Sequence, residues 1–157
     1  MHWRLRQSEF ERNKGAANKR AMRKIVSSGA KPGLLAYDGK LPVAWVAVGP
    51  RTDFGRLNRS RTLKAIDDQP VWSVVCMFIA KEYRRQGLSV VLLKEAAKFV
   101  RQQGGAIVEG YPMEPKKGAW PDAFVWTGVT QAYLRAGFKE TLRRSDSRPI
   151  MRLYLER

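Results

Sequence analysis

From Val71 to Ala80 the chain is almost wholly apolar and rich in β-branched and aromatic side chains, and it runs directly into the polar loop Lys81-Glu82-Tyr83-Arg84-Arg85-Gln86-Gly87. So short and so apolar a run fits a strand covered on both faces better than a helix. An amphipathic helix follows the loop. Leu93, Ala96, Ala97 and Val100 line one face, Lys94, Lys98, Arg101 and Gln102 line the other, and Gly104-Gly105 ends it. A strand feeding a glycine-bearing loop at a helix start brings unpaired backbone N–H groups and the positive end of the helix dipole to one spot, a combination that binds phosphate. Gly87 lets the backbone come close to the anion. The Gly-Lys-Ser/Thr element of a Walker loop is missing, and so are the three glycines of a dinucleotide fingerprint.

The flanking segments fill in the rest of a sheet. Residues 8–28 read as one amphipathic helix, with Phe10, Ala17, Ala21 and Ile25 at helical spacing, Ser8 as N-cap and Gly29 as stop. Leu34 to Tyr37 and Val43 to Val48 flank Asp38-Gly39-Lys40, a hairpin signal. Residues 49–70 form a basic loop or irregular helix of the kind that borders a site, with arginines at 51, 56, 59 and 61. Ala106 to Tyr111 is a further strand, and 112–121 is loop. Thr127 caps a short helix, 128–136, closed by Gly137, and Phe138 to Arg144 and Ile150 to Leu155 are a last pair of strands. Helix, hairpin, loop, buried strand, helix, strand, helix, hairpin is a mixed α+β order about one sheet, and residues 1–157 are expected to form a single domain.

Composition narrows the class further. The longest uninterrupted apolar run, Val74 to Ala80, is far short of the roughly 20 residues that span a bilayer, so no membrane role is expected. No apolar block follows Met1-His2-Trp3-Arg4-Leu5-Arg6, which gives no sign of a signal peptide, and a cytoplasmic location is expected. One cysteine, Cys76, and one histidine, His2, allow neither an internal disulfide nor a Cys/His zinc site, and no metal is expected. The charge balance is 30 basic minus 14 acidic residues, or +16. Residues 1–64 contribute 15 basic and 4 acidic (+11), 65–115 contribute 6 and 6, and 116–157 contribute 9 and 4 (+5). Such a field attracts polyanions, although a solvated surface produces the same bias.

Arg84-x-x-Gly87-x-Ser89 resembles the Gln/Arg-x-x-Gly-x-Gly/Ala signature of the GNAT acetyltransferase superfamily, with a small serine at the last position. Downstream, Tyr133-Leu134-Arg135-Ala136-Gly137-Phe138 is similar to the family's Tyr-x-x-x-Gly-Phe segment. The resemblance covers about residues 34–155. It implies a GNAT-like fold: a central, mostly antiparallel mixed sheet with two splayed parallel strands and helices on both faces. It also implies an acetyl-CoA site. The pyrophosphate would sit on the motif loop at Arg84, Arg85, Gln86, Gly87, Leu88 and Ser89, and the pantetheine arm along the backbone of Met77, Phe78 and Ile79. A backbone N–H near Met77 or Phe78 would stabilise the tetrahedral oxyanion.

Residue by residue, Tyr133 matches the family's general-acid tyrosine, and a phenol can protonate a departing CoA thiolate. Packing between helix and sheet is the alternative reading of Tyr133. Glu109, on the strand after the motif, and Glu114 are the candidate bases. Cys76 lacks an activating base and reads as core. Tyr111, Trp120 and Trp126 could line an acceptor pocket, whereas Trp45 and Trp72 read as packing.

The reading is an acyl-CoA-dependent N-acetyltransferase acting on a primary amine of a small molecule or protein. Its rivals are a basic nucleic-acid-binding module and a non-catalytic CoA-binding family member. A chain at +16 repels polycations, so an acceptor that is anionic, or is carried on something anionic, suits the field better than a polyamine. The basic N-terminal part offers a contact for a polyanion, and a homodimer stays open.

Overall fold

In the computed structural model, which describes residues 1–114 and 126–156, six strands form one mixed sheet in the order β1-β2-β3-β4-β6-β5. The N-terminal helical stretch is two helices, α1 (Gln7–Arg12) and α2 (Ala16–Ser27), rather than one. Asn13-Lys14-Gly15 separates them, and Gly15 takes a left-handed φ of 76° that an uninterrupted helix cannot contain. The hairpin β1 (Gly33–Asp38) and β2 (Leu41–Pro50) follows, and α3 (Gly55–Arg59) lies in the basic insertion after it. Then come β3 (Trp72–Ile79), α4 (Leu88–Gln102), β4 (Ile107–Gly110), α5 (Thr130–Arg135), β5 (Lys139–Arg143) and β6 (Pro149–Tyr154). Thr127 is not the cap of α5. Val129 holds the N-cap position, while Thr127 turns its hydroxyl to Arg148 and its carbonyl to Tyr133.

Apolar side chains on the two sheet faces make two cores. Helices α4 and α5 cover one face, where Leu93, Ala96 and Val100 meet Val46, Val74 and Val108. The opposite face is covered by Trp3, by Phe54 and Leu57 at the start of the insertion, and by Leu63, which meet Val75, Tyr111 and Ile150. In β3 the alternation slips by one residue. Val74 and Met77 belong to the α4 face, whereas Val75 and Cys76 both turn to the other. Ala47 pairs with Cys76 and Val48 with Val74, which leaves Val75 as the extra residue of a β-bulge.

Strands β3 and β4 run parallel and pair only at Trp72, Ser73 and Val74 with Val108, Glu109 and Gly110. Beyond Val74, β3 continues to Ile79 with β4 no longer beside it, and the sheet opens there as a wedge.

Under the insertion lies a buried polar network centred on Glu109, which is 1% exposed. One carboxylate oxygen accepts from Arg51 (3.0 Å) and from the Tyr111 hydroxyl (2.7 Å). The other accepts from Nε of Arg152 (2.7 Å), which also holds Asp67 with both of its terminal nitrogens (2.7 and 3.0 Å). Arg51 reaches on to the Leu63 carbonyl, and Arg144 donates to the carbonyls of Lys64 and Ala65. Three arginines thus tie the insertion to the sheet. The hydrogen bonds from Arg152 lower the Asp67 carboxyl to about 2. Removing one partner from a buried ion pair strands the others. Glu109→Ala should therefore cost about 3–5 kcal/mol of unfolding free energy in urea, and a loss below about 1 kcal/mol would contradict a central role for the network.

Candidate active site

The phosphate-binding character of the loop follows from its backbone. Arg85 and Gly87 have φ of 60° and 79°, flanking Gln86 without a positive φ, and this alternation turns successive N–H groups toward a common point. Among the described residues the amides of Arg85, Gln86, Gly87, Leu88 and Ser89 donate to no protein acceptor. Helix α4 begins at Leu88 without a side-chain cap, so its free N–H groups and positive dipole end stay open to an anion. Arg85, Gln86 and Gly87 are exposed. The loop is braced from behind: Arg84 donates from Nε to the Ile79 carbonyl (2.9 Å), and Gln86 donates to the Glu82 carbonyl (2.8 Å). A Cβ on Gly87 would meet no atom within 4 Å, so a side chain there is opposed by the left-handed backbone rather than by crowding. Such a residue costs about 1–2 kcal/mol. Gly87→Ala should lower stability by no more than that and weaken pyrophosphate binding, followed by calorimetry, by about tenfold or more; unchanged binding would exclude the loop as the anion site.

At the wedge, the N–H of Met77 is already paired with the Trp126 carbonyl (2.6 Å). The N–H of Ala80 goes to Val43 on β2, so strand alternation points the Phe78 amide to β2 and the Met77 and Ile79 amides to the open edge. The Phe78 side chain is exposed and that of Met77 is buried. Tyr133 lies at the closed end of the wedge, fully buried. A Cβ on Gly110 would stand 2.1 Å from the Tyr133 ring, and one on Gly128 would stand 2.3 Å from the Met77 methyl and 2.9 Å from the same ring. These two glycines let the strand end, the segment after Trp126 and the phenol converge. The Tyr133 hydroxyl donates to the Thr127 carbonyl (3.0 Å). Burial pushes the phenol well above its ordinary value, with Arg148 opposing, so it keeps its proton at neutral pH.

The other candidates are placed less favourably for chemistry. Both oxygens of Glu109 are engaged, one by Arg51 and Tyr111 and the other by Arg152, so its charge is held inside the network. Glu114 is paired with Arg143 near the surface. Cys76 is partly buried, and burial raises its thiol, which suits a packing role. Tyr111 does not line a pocket: it is wholly buried, with its hydroxyl between Ser73, Arg51 and Glu109. Trp72 packs edge-on against Phe99. Trp120 lies outside the described residues.

A cavity of about 430 Å³ opens between the N-terminal segment, α3 and the β5–β6 hairpin. His2, Trp3, Arg56, Arg59, Trp126 and Arg148 are among its lining residues; the sequence pointed to Trp126 as a pocket candidate and to Arg56 and Arg59 as part of an insertion bordering a site. They lie far apart along the chain, and no motif joins them. His2 is enclosed edge-on by Trp3, Phe10 and Trp126. Burial, with Arg56 and Arg148 nearby, lowers its imidazole to about 4 from an ordinary 6.5. Between those values the unfolded chain takes up a proton that the folded protein refuses, so stability should fall as the pH drops from about 6.5 to about 4. Thermal unfolding of His2→Gln across that range should show a flatter slope than the parent, and parallel slopes would exclude His2 as the source.

The family described as Acetyltransferase (GNAT) family matches residues 1–121. No curated protein matches the chain. Among solved structures, the PaiA N-acetyltransferase of Thermoplasma acidophilum in complex with coenzyme A is 16% identical, covers 96% of this chain and 80% of its own, and superposes with a TM-score of 0.57. A GNAT-family acetyltransferase of Streptococcus pneumoniae is 12% identical over 91% of this chain and 78% of its own (TM-score 0.57). The ribosomal-protein-alanine N-acetyltransferase of Brucella melitensis is 15% identical over 88% and 76% (TM-score 0.55). These are likenesses of fold.

Proposed function

Because this chain belongs to the GNAT acetyltransferase family, we propose that it moves an acetyl group from acetyl-CoA to a primary amine. The observation that carries the reading is the run of five unpaired amides, Arg85 to Ser89, between the open edge of β3 and the start of α4. Bound acetyl-CoA would supply a thioester carbonyl to an attacking amine and would depart as a thiolate that needs a proton.

The chain's own groups meet the remaining needs. The loop amides and the α4 dipole hold the diphosphate, with Arg84 bracing the turn from behind. The open-edge amides of Met77 and Ile79 would hold the pantetheine arm, and the Met77 N–H would serve as oxyanion donor once the Trp126 carbonyl gives way. Tyr133 would deliver a proton from its buried hydroxyl to the departing thiolate and regain one from the newly acetylated nitrogen, so the proton lost by the amine ends on the thiol. Glu109 does not serve as the base. It fixes β4 and the insertion through Arg51 and Arg152.

A non-catalytic CoA-binding member is the second reading. The pairing of the Met77 amide and the Tyr133 hydroxyl with the carbonyls of Trp126 and Thr127 favours it. Tyr133→Phe separates the two. In an enzyme it should leave the thermal shift produced by acetyl-CoA unchanged while lowering kcat by about 10²–10⁴. Acetyl-CoA binding with no turnover in the parent protein, across a panel of amines, would favour the sensor. A parent protein that acetyl-CoA does not stabilise would exclude both.

A further inference from the structure

The arginine-lined cavity adjoins the wedge through two consecutive residues. Trp126 lines the cavity with its side chain and caps the Met77 amide with its carbonyl. Thr127 accepts from Arg148 on its hydroxyl (3.2 Å) and from Tyr133 on its carbonyl (3.0 Å). A group gripped by Arg148 therefore lies one residue from the candidate proton donor.

The cavity's charge is one-sided. Among the described residues no carboxylate belongs to its lining, and none of Arg56, Arg59 and Arg148 takes part in an ion pair. Arg148 is the most telling of the three. Its Nε is buried with no partner among the described residues, its guanidinium stacks over the Trp3 ring at 5.8 Å, and burial lowers its pKa. Among the described residues Arg56 has only the His2 ring as a side-chain partner (3.3 Å), and Arg59 is exposed. Guanidinium groups held together without counter-charges are stabilised by an oxyanion, which they can bind with two parallel hydrogen bonds. A volume of about 430 Å³ suits a small molecule.

We propose that this cavity is the acceptor site and that its occupant is a small amine bearing its own carboxylate or phosphate, held by Arg56, Arg59 and Arg148. The inference rests on the acetyltransferase reading and adds to it the substrate class. The anionic end enters the arginine cluster, and the amine extends past Trp126 toward the open edge of β3.

The test uses the full chain saturated with CoA, so that the loop amides are occupied. Inorganic phosphate and malonate are titrated at constant ionic strength while the indole N–H signals of Trp3 and Trp126 are followed by NMR. Saturable shifts of both signals are expected, weakened by about tenfold or more in Arg59→Gln and in Arg148→Gln. Arg59 is exposed, so its replacement tests the site even if the Arg148 variant folds poorly. A preference for phosphate or for malonate identifies the anion. Acetylation of phosphoethanolamine or β-alanine should correspondingly exceed that of ethanolamine, and Arg59→Gln should abolish the difference. Unshifted indoles, or equal affinity in parent and variants, would overturn the proposal. So would a single-stranded RNA that moves these signals when neither small anion does, a result pointing to a polyanion surface. If CoA binds and the anions do not, this inference alone fails; if CoA itself does not bind, the acetyltransferase reading fails with it.

Discussion

A single buried carboxylate organises the functional half of this protein. Glu109 sits on the short strand that opens the wedge, and its charge is balanced only because Arg51 arrives from the end of β2 and Arg152 from β6. Burying a lone carboxylate in this way would be prohibitively unfavourable, so the two arginines and the strand come as a unit. Through Arg51 the network reaches Leu63, and through Arg152 it reaches Asp67. The insertion, which would otherwise be a loose basic loop, becomes one wall of the cavity. Glu109 thus joins the register of the sheet to the placement of Arg56 and Arg59.

The wedge depends on a different device. The bulge at Val75 reverses the alternation of β3, which turns Met77 to the α4 side, and the pairing of β3 with β4 stops at Val74. A strand with no strand neighbour on one edge then ends beside a loop whose amides have no acceptor among the described residues. Extended polar backbone followed by an anion-binding turn suits a ligand with a long polar arm and a diphosphate end. Glycine is favoured at 110 because the Tyr133 ring occupies the space a Cβ would need, and at 128 because the backbone is left-handed (φ 85°) and the same ring lies close.

What was legible in the sequence was local. The strand from Val71, the loop around Gly87 and the helix after it announced themselves by hydrophobic period and composition, and the strand, turn and helix are where those signals put them. The break at Gly15 was missed because the apolar spacing from Phe10 to Ile25 carries across it. Thr127 looked like a cap from its position alone, whereas Arg148 and Tyr133 compete for its oxygens from distant segments. Glu109 looked like a base because a carboxylate in a strand is unusual, and its arginine partners are 58 and 43 residues away. The charge of +16 also has partners that sequence spacing hides. Arg51 and Arg152 are buried and serve the interior of the fold, so the excess is not all surface.

The Trp126 carbonyl on the Met77 amide has an energetic meaning. That N–H is not waiting empty: it is satisfied by a short bond of 2.6 Å. Any molecule lying along the β3 edge must evict this carbonyl before it can use the amide, and at that point gains only the difference between two similar bonds. Attraction at the edge is therefore close to a swap, and net affinity has to be found at the other end, on amides that have no protein acceptor to surrender. The strand edge sets the pose of whatever lies along it, and the loop sets how tightly it stays.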